Sequence, residues 1–203
     1  MVVANISCKK EVDTTQANNS TLSQLFGSTI EVSVKGRVLD ESGNAIVGAR
    51  IIAGNSSTQT DAMGVFVFNN ISAYQKLGCV TAEKLGYFKG IRSFVPKIGG
   101  NEIVIRLLSK SVTGTINSTA GGTIRIGNAS LTIPSNAMLL NNVVYNGTVN
   151  VSIKYIDPSI ASFFEEIPGS LIGVDENVAS SLTSYGMIGV ELWDNNGQLL
   201  QIA

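Results

Sequence analysis

The chain has 203 residues, a formal net charge of −1 and no histidine. The near-neutral charge provides no basic field that would attract nucleic acid. Without histidine, Ser-His-Asp and Cys-His catalysis are excluded, and the two cysteines cannot build a Cys-based zinc site. We therefore predict no catalytic residues, no metal and no cofactor.

Charged residues make up 14% of the chain, and the rest is rich in Ser, Thr, Asn and Gly. This composition is typical of extracytoplasmic β proteins rather than of cytosolic enzymes. A run of about 18 apolar residues, which a transmembrane helix requires, does not occur. We predict an all-β chain with two tandem β-sandwich domains after a disordered N-terminal tether.

Residues 1–28 are polar and unpatterned after Cys8, which predicts a flexible tether. Its only bulky apolar residues after Cys8 are Leu22, Leu25 and Phe26, for which a helical turn or packing on the first domain stays open. The sequence Ser7-Cys8-Lys9-Lys10-Glu11 resembles the cleavage region of bacterial lipoprotein signals, in the form found in Bacteroidetes surface lipoproteins. The resemblance implies that Cys8 is lipidated, so that the protein is an outer-membrane lipoprotein at the cell surface or in the periplasm. Two other roles of Cys8 stay open: an ordinary free cysteine, or a disulfide with Cys79 that would compete with lipidation.

Residues 29–109 contain the most regular strand pattern of the chain. Apolar or small residues alternate with polar ones from Glu31 to Val38, which indicates a half-buried strand. The acidic, Gly-containing segments 40–44 and 61–64 have turn chemistry. Val65–Phe68 is the next strand, and Asn69-Asn70 is predicted to end it.

The residues around these turns form an ordered pattern that resembles the carboxypeptidase regulatory-like domain. The matching positions are Gly36, Val38, Asp40, Gly43, Ile46, Gly48, Ala49, Ile51, Ser57, Thr58, Thr60, Asp61, Gly64, Phe66 and Phe68, followed by Ala82-Glu83-Lys84-Leu85-Gly86-Tyr87. The resemblance covers roughly residues 30–108. It implies a transthyretin-like, prealbumin-like β-sandwich with seven strands and no catalytic activity, of the kind that accompanies carboxypeptidases, surface proteins and TonB-dependent receptors.

Three further strands complete this domain in the prediction. They are residues 74–82, 88–95 and 103–107, and Cys79 is predicted as a core residue of the first of them.

Residues 110–203 are predicted to form the second β-sandwich. The pattern carried by Gly121, Gly122, Leu131, Ile133, Pro134 and Ala137 resembles the β domain of netrin receptors, tight-junction scaffold proteins and cartilage intermediate-layer proteins. Residues 147–156 are its clearest strand. We expect Ala179–Thr183 and Gly186–Trp193 to pair as a hairpin, and Asn196-Gly197 to begin another one. Because that hairpin has only begun when the sequence ends, we expect the domain to continue beyond Ala203.

Three groups of residues are candidate sites. The acidic turns at Asp40, Asp61 and Asp194 offer oxygen ligands for calcium, although Asp, Asn and Gly are also what β-turns require. Adjacent Glu165 and Glu166 point to opposite faces of an extended segment, which argues against a glycosidase pair. Trp193, Phe163 and Phe164 are the aromatic residues least explained by packing, and they are the candidate ligand-binding residues.

These observations favour a non-catalytic cell-surface structural or binding module, anchored to the membrane by lipid, with a protein or glycan as its partner. Strand edges of the sandwiches can accept a partner strand. The alternative is a carbohydrate-binding module of a glycan-uptake system. An accessory domain of a peptidase or glycoside hydrolase is a further alternative.

Overall fold

The computed structural model describes residues 17–126, 129–175 and 178–203. In these residues the fold is all-β, as predicted, with strands β1 to β17 and two short helices. Neither helix combines the length and the hydropathy that crossing a membrane requires. The described residues form two compact units: one contains the chain up to Ser109 and Ser159–Tyr185, and the other contains Lys110–Pro158 and Gly186–Ala203.

The first unit contains seven strands before Ser109. They are β1 (Thr29–Leu39), β2 (Arg50–Ala53), β3 (Ser56–Gln59), β4 (Val65–Tyr74), β5 (Gly78–Glu83), β6 (Gly90–Phe94) and β7 (Asn101–Arg106). One sheet has the order β4-β1-β7, and the other has the order β3-β2-β5-β6. Buried side chains from both sheets share one core, so the two sheets form a sandwich.

Strand β1 lies at the centre of the first sheet, antiparallel to β4 and parallel to β7. Its alternation is observed as predicted, with Val34 and Val38 fully buried. Gly36 continues the buried face without a side chain, because a Cβ there would lie 2.3 Å from the Phe66 ring atom Cζ. The aromatic ring of β4 therefore covers the backbone of β1.

Strand β4 is longer than predicted, and the expected turn at Asn69-Asn70 is wrong. The strand continues to Tyr74, and β1 accommodates it through a register shift between Val32 and Val34. Ile71 and Ala73 are buried, so burial of the second half of the strand outweighs the turn preference of the two asparagines.

The N-terminal part of the described chain is helical, whereas the prediction placed it in the tether. Helix α1 spans Ala17–Phe26, and Gly27 ends it with a φ of 82°. Phe26 is 3% exposed, and its carbonyl accepts a hydrogen bond from the Lys76 amide at 2.9 Å. The apolar end of the segment is therefore both helical and packed, the two alternatives that the sequence left open for Leu22, Leu25 and Phe26. Cys8 lies outside the described residues, so its lipidation stays a prediction.

Cys79 is not the core thiol that was predicted. It is half-buried on β5, and its Sγ lies 4.0 Å from the Ser93 Oγ. Since side chains alternate along a strand, the buried Val80 occupies the core face and Cys79 the other face.

The second unit has three sheets around its own core. Its strands are β8 (Gly114–Asn117), β9 (Gly122–Ile126), β10 (Ala129–Ile133), β11 (Met138–Leu140), β12 (Val143–Val144), β13 (Thr148–Ile156), β16 (Met187–Trp193) and β17 (Gln201–Ile202). The sheet orders are β16-β13-β8, β12-β11-β17 and β10-β9. Met138, Val149 and Val151 are fully buried at the centre of the core.

Segment Ser159–Tyr185 groups with the first unit, although the predicted domain boundaries placed it in the second domain. It contains helix α2 (Phe163–Glu166) and strands β14 (Ile172–Asp175) and β15 (Val178–Ser181). The predicted hairpin between Ala179–Thr183 and Gly186–Trp193 is wrong, because β15 pairs with β14 and β16 pairs with β13. The sequence of a strand does not by itself specify which neighbouring strand it pairs with.

Candidate functional site

The three acidic turns have one common hydrogen-bonding geometry. In each, one carboxylate oxygen of the aspartate accepts two backbone N–H groups, two and four residues further along the chain, all at 2.8 Å. A glycine three residues after Asp40, Asp61 or Asp194 adopts a positive φ, between 72° and 85°. The carboxylates therefore hold the turns closed, and turn geometry accounts for their presence.

The charges at these turns and on the sheets serve local structure. Hydrogen bonds from the Asn44 side chain and backbone hold the pKa of Asp40 below its ordinary value of 3.8. The hydrogen bond from Lys89 holds the pKa of Glu83 below its ordinary value of 4.5. In the part of the chain that the structure describes, three or more potential metal-ligating side chains do not gather anywhere.

The two phenylalanines of α2 have different environments. The rings of Phe163 and Phe164 meet edge to face with their centroids 5.3 Å apart. Phe163 is only 4% exposed, so it cannot present a face to a sugar. Phe164 is 60% exposed, and its carbonyl accepts a hydrogen bond from Arg92. Of the two phenylalanines that were predicted as ligand-binding residues, only Phe164 therefore has an exposed ring.

The two glutamates of α2 are engaged by different partners. The Glu165 Oε2 accepts hydrogen bonds from the Arg106 Nη2 at 2.9 Å and Nε at 3.2 Å. The Glu166 Oε1 accepts one from the Ser162 hydroxyl at 2.7 Å. Since Arg106 also donates to the Asp40 carbonyl at 2.8 Å, it joins helix α2 to the first acidic turn. The arrangement attaches the helix to the sandwich and leaves no facing carboxylate pair there.

Trp193 lies in the second unit, whereas the two phenylalanines belong to the first. It is half-buried at the end of β16. The Lys110 ammonium lies 5.3 Å from the centroid of its ring and 2.7 Å from the Glu191 carboxylate. This cation–π contact occupies the ring and explains the position of the tryptophan by packing. Whether Trp193 or Phe164 binds a ligand stays a prediction.

The structure contains an apolar cleft that the sequence did not point to. It lies in the second unit, has a volume of about 160 Å³ and is open to solvent. Its lining is aliphatic apart from one serine, and it consists of Ile126, Ser130, Leu131, Ile153, Ile188 and Val190. The first three residues belong to β9 and β10, and the last three belong to β13 and β16. None of the lining residues is titratable.

The cleft forms where one face of the β13–β16 pair extends beyond the core. Leu192 is paired with Val151 inside the core, and they are 5% and 0% exposed. On the same face four residues earlier, Ile188 is paired with Tyr155, and they are 48% and 45% exposed. The alternation that predicts a core strand therefore continues to residues that stay partly exposed.

Strand β16 also has an outer edge that is only partly paired. The Leu192 carbonyl accepts a hydrogen bond from the Leu200 amide at 2.8 Å, after which the chain leaves to pair with β11 as β17. Backbone groups of a strand point alternately to its two sides, so the N–H and C=O groups of Val190 and Ile188 point to the same side as the Leu192 carbonyl. Among the described residues, no strand pairs with them there.

No family model matches the chain, and no curated protein sequence matches it. Among solved structures, the chain is similar to a proposed carbohydrate-binding protein from Bacteroides uniformis, with 13% identity and a TM-score of 0.31. The match covers 82% of this chain and 80% of that chain. A TM-score at this level assigns neither a fold nor a ligand to the protein described here.

Proposed function

We propose that the protein is a non-catalytic, extracytoplasmic binding module that recognises another protein through its second unit. The observation that carries this proposal is the open aliphatic cleft beside the partly unpaired edge of β16. A glycan would need hydrogen-bonding partners and aromatic faces, whereas this lining offers one hydroxyl and no ring. Aliphatic side chains of a protein fit such a surface.

The first unit then acts as a scaffold of the carboxypeptidase regulatory-like type. Seven strands arranged as a three-stranded and a four-stranded sheet support this assignment. So do the two turns at Asp40–Gly43 and Asp61–Gly64, whose hydrogen bonds explain why the matching Asp and Gly positions recur in that pattern. The second unit is proposed to be a domain of the kind found in netrin receptors and cartilage intermediate-layer proteins.

We further propose that a lipid on Cys8 anchors the protein in the membrane. Mass spectrometry of the protein purified from native membranes tests it, and we expect a diacylated Cys8 at the mature N-terminus. A peptide in which Cys8 is joined to Cys79 would contradict it, because one sulfur atom cannot carry both a thioether and a disulfide bond. Unmodified, soluble protein would contradict it as well.

Protein binding is tested by capture of envelope proteins on immobilised full-length chain. Val190→Asp places a charge at the cleft, where Val190 is 37% exposed, and should abolish capture of any partner that uses it. Thr115→Asp is the matched control, because Thr115 is exposed on β8 of the same sheet and the added charge is the same. Equal capture by the wild type and both variants would contradict the proposal.

Carbohydrate binding is the second candidate, and exposure of Phe164 is the observation that favours it. A glycan array decides between the two. We expect no glycan whose binding depends on Phe164. Binding that is lost in Phe164→Ala and kept in Leu85→Ala, a control at an aliphatic residue that is 95% exposed, would replace the protein-binding proposal.

A further inference from the structure

We propose that the second unit binds its partner by strand addition: a short, extended, uncharged segment pairs with the outer edge of β16 and inserts an aliphatic side chain into the cleft. This inference rests on the proposed protein-binding function and specifies its mode. It brings together two features that lie side by side on β16, the unpaired backbone groups and the apolar lining.

The backbone of the edge defines an extended ligand. Ile188 and Val190 together direct two N–H and two C=O groups outward, and residues two apart on a strand are separated by about 6.6 Å. An extended peptide presents complementary groups at the same spacing, so it can form up to four hydrogen bonds there. Polar backbone groups of this kind are the usual basis of strand addition at a sheet edge.

The two ends of the edge limit the length of the added segment. At one end the Leu200 amide already bonds to the Leu192 carbonyl, so residues 199–200 occupy the position next to β16. At the other end Gly186 has a φ of 123°, which interrupts the extended backbone just before β16 begins. With respect to the residues that the structure describes, the free edge is therefore Met187–Glu191, and the added segment is about as long as this stretch.

The cleft defines the side chain that the segment carries. Residues directly opposite each other in adjacent strands share a face, so the segment's residues opposite Ile188 and Val190 project on the cleft side. The cleft volume of about 160 Å³ is similar to the roughly 150 Å³ of an engineered cavity that binds benzene. It accommodates one side chain of the size of leucine.

The charged side chain on this part of β16 already has an ion-pair partner, so the edge does not require a charged ligand. Glu191 lies on the opposite face of β16, where the Lys110 ammonium neutralises it at 2.7 Å. The cleft lining contains no ionisable group. Burying a charge in the cleft would therefore cost free energy without an ion pair in return.

Amide hydrogen exchange followed by NMR on the full-length chain tests this mode. The probe is an acetylated, amidated pentapeptide with threonine and leucine alternating. At saturation we expect exchange of the Ile188 and Val190 amides to slow by about tenfold or more, because each enters a hydrogen bond. The Gly189 and Glu191 amides point towards β13 and serve as internal controls whose exchange should not change.

The control probe is the same pentapeptide methylated on both leucine amide nitrogens, which keeps the side chains and removes the donors. It should protect neither amide, and Val190→Asp should abolish the effect of the unmethylated peptide while Thr115→Asp preserves it. Strand addition is overturned if the methylated peptide slows exchange of the Ile188 and Val190 amides, or if neither peptide slows it. Because the exchange measurement uses the wild-type chain, a variant that fails to fold does not affect it.

Two outcomes separate this inference from the function on which it rests. If Val190→Asp abolishes capture of an envelope protein but that protein does not protect the Ile188 and Val190 amides, the cleft binds a protein by another mode and strand addition is wrong. If protection instead rises with protein concentration in the absence of peptide, the occupant is a second copy of this chain, which also overturns the proposal.

Discussion

Replacing Asp194 with alanine should destabilise the second unit strongly. Its carboxylate accepts backbone N–H groups of Asn196 and Gln198, both at 2.8 Å, and the residue is only 3% exposed. Hydrogen bonds to a charged acceptor contribute about 1.5–3 kcal/mol each, and water can replace part of the loss at a turn. We therefore expect Asp194→Ala to lower the free energy of unfolding by about 3 kcal/mol.

Urea unfolding followed by fluorescence measures this effect, because Trp193, the single tryptophan of the chain, precedes Asp194 directly. For a unit of this size, the loss corresponds to a decrease in Tm of about 10 °C or more. Gln198→Ala is the control, since it removes a side chain but keeps the backbone amide that donates a hydrogen bond to the carboxylate. It should change the stability by less than about 0.5 kcal/mol.

The same experiment in millimolar calcium tests the rival interpretation of the turn. A structural carboxylate predicts no change in the unfolding midpoint of the wild type. A calcium site would raise the wild-type midpoint and leave that of Asp194→Ala unchanged. Either a calcium effect of this kind or an Asp194→Ala variant as stable as the control would refute the reasoning.

Three further predictions concern the first unit. Gly36→Ala should destabilise it by about 1–3 kcal/mol in chemical denaturation, because the new Cβ would meet the Phe66 ring. A double-mutant cycle with Arg106→Met and Glu165→Gln should give a coupling of only about 0.5–1 kcal/mol, since Glu165 is 35% exposed and solvent screens the pair. As the pH is lowered below about 4.5, the stability of the wild type should decrease, and that of Glu83→Gln should decrease less steeply. The pKa of Glu83 is lowered in the folded state, so this side chain stabilises the fold only while its carboxylate is ionised.

Each of these predictions has an outcome that contradicts it. Gly100→Ala, where no atom lies within 4 Å of the new Cβ, should be nearly neutral, and equal losses at the two glycines would show that packing against Phe66 is not the cause. A coupling of several kcal/mol would show that the Arg106–Glu165 pair is shielded from water. If the urea midpoints of Glu83→Gln and the wild type decrease in parallel as the pH falls, ionisation of Glu83 does not stabilise the fold.

The features that the sequence predicted well are those with a local physical cause. The alternation from Glu31 to Val38 predicted β1 because a strand has a period of two residues, whatever its partner is. The aspartate turns were predictable because the carboxylate, the glycine and the backbone amides that donate to the carboxylate all lie within five consecutive residues. Among the candidate site residues, the acidic turns could be judged from sequence for the same reason.

The features that were missed depend on residues far apart in the chain. Phe163 and Phe164 are adjacent in sequence, yet one is buried and the other is exposed, and only the packing of helix α2 distinguishes them. Strand β15 pairs with β14, and β16 pairs with β13, although β15 and β16 follow each other in the chain and were expected to form a hairpin.

The cleft is the clearest case of a feature that only the tertiary structure decides. Ile188 and Leu192 occupy equivalent positions in the pattern of β16, and nothing in their own sequence separates them. Leu192 is buried because other parts of the second unit cover its end of the sheet, while Ile188 stays 48% exposed because they do not reach it. Periodicity determines which face of a strand is apolar, and the arrangement of distant elements decides whether that face becomes core or binding surface.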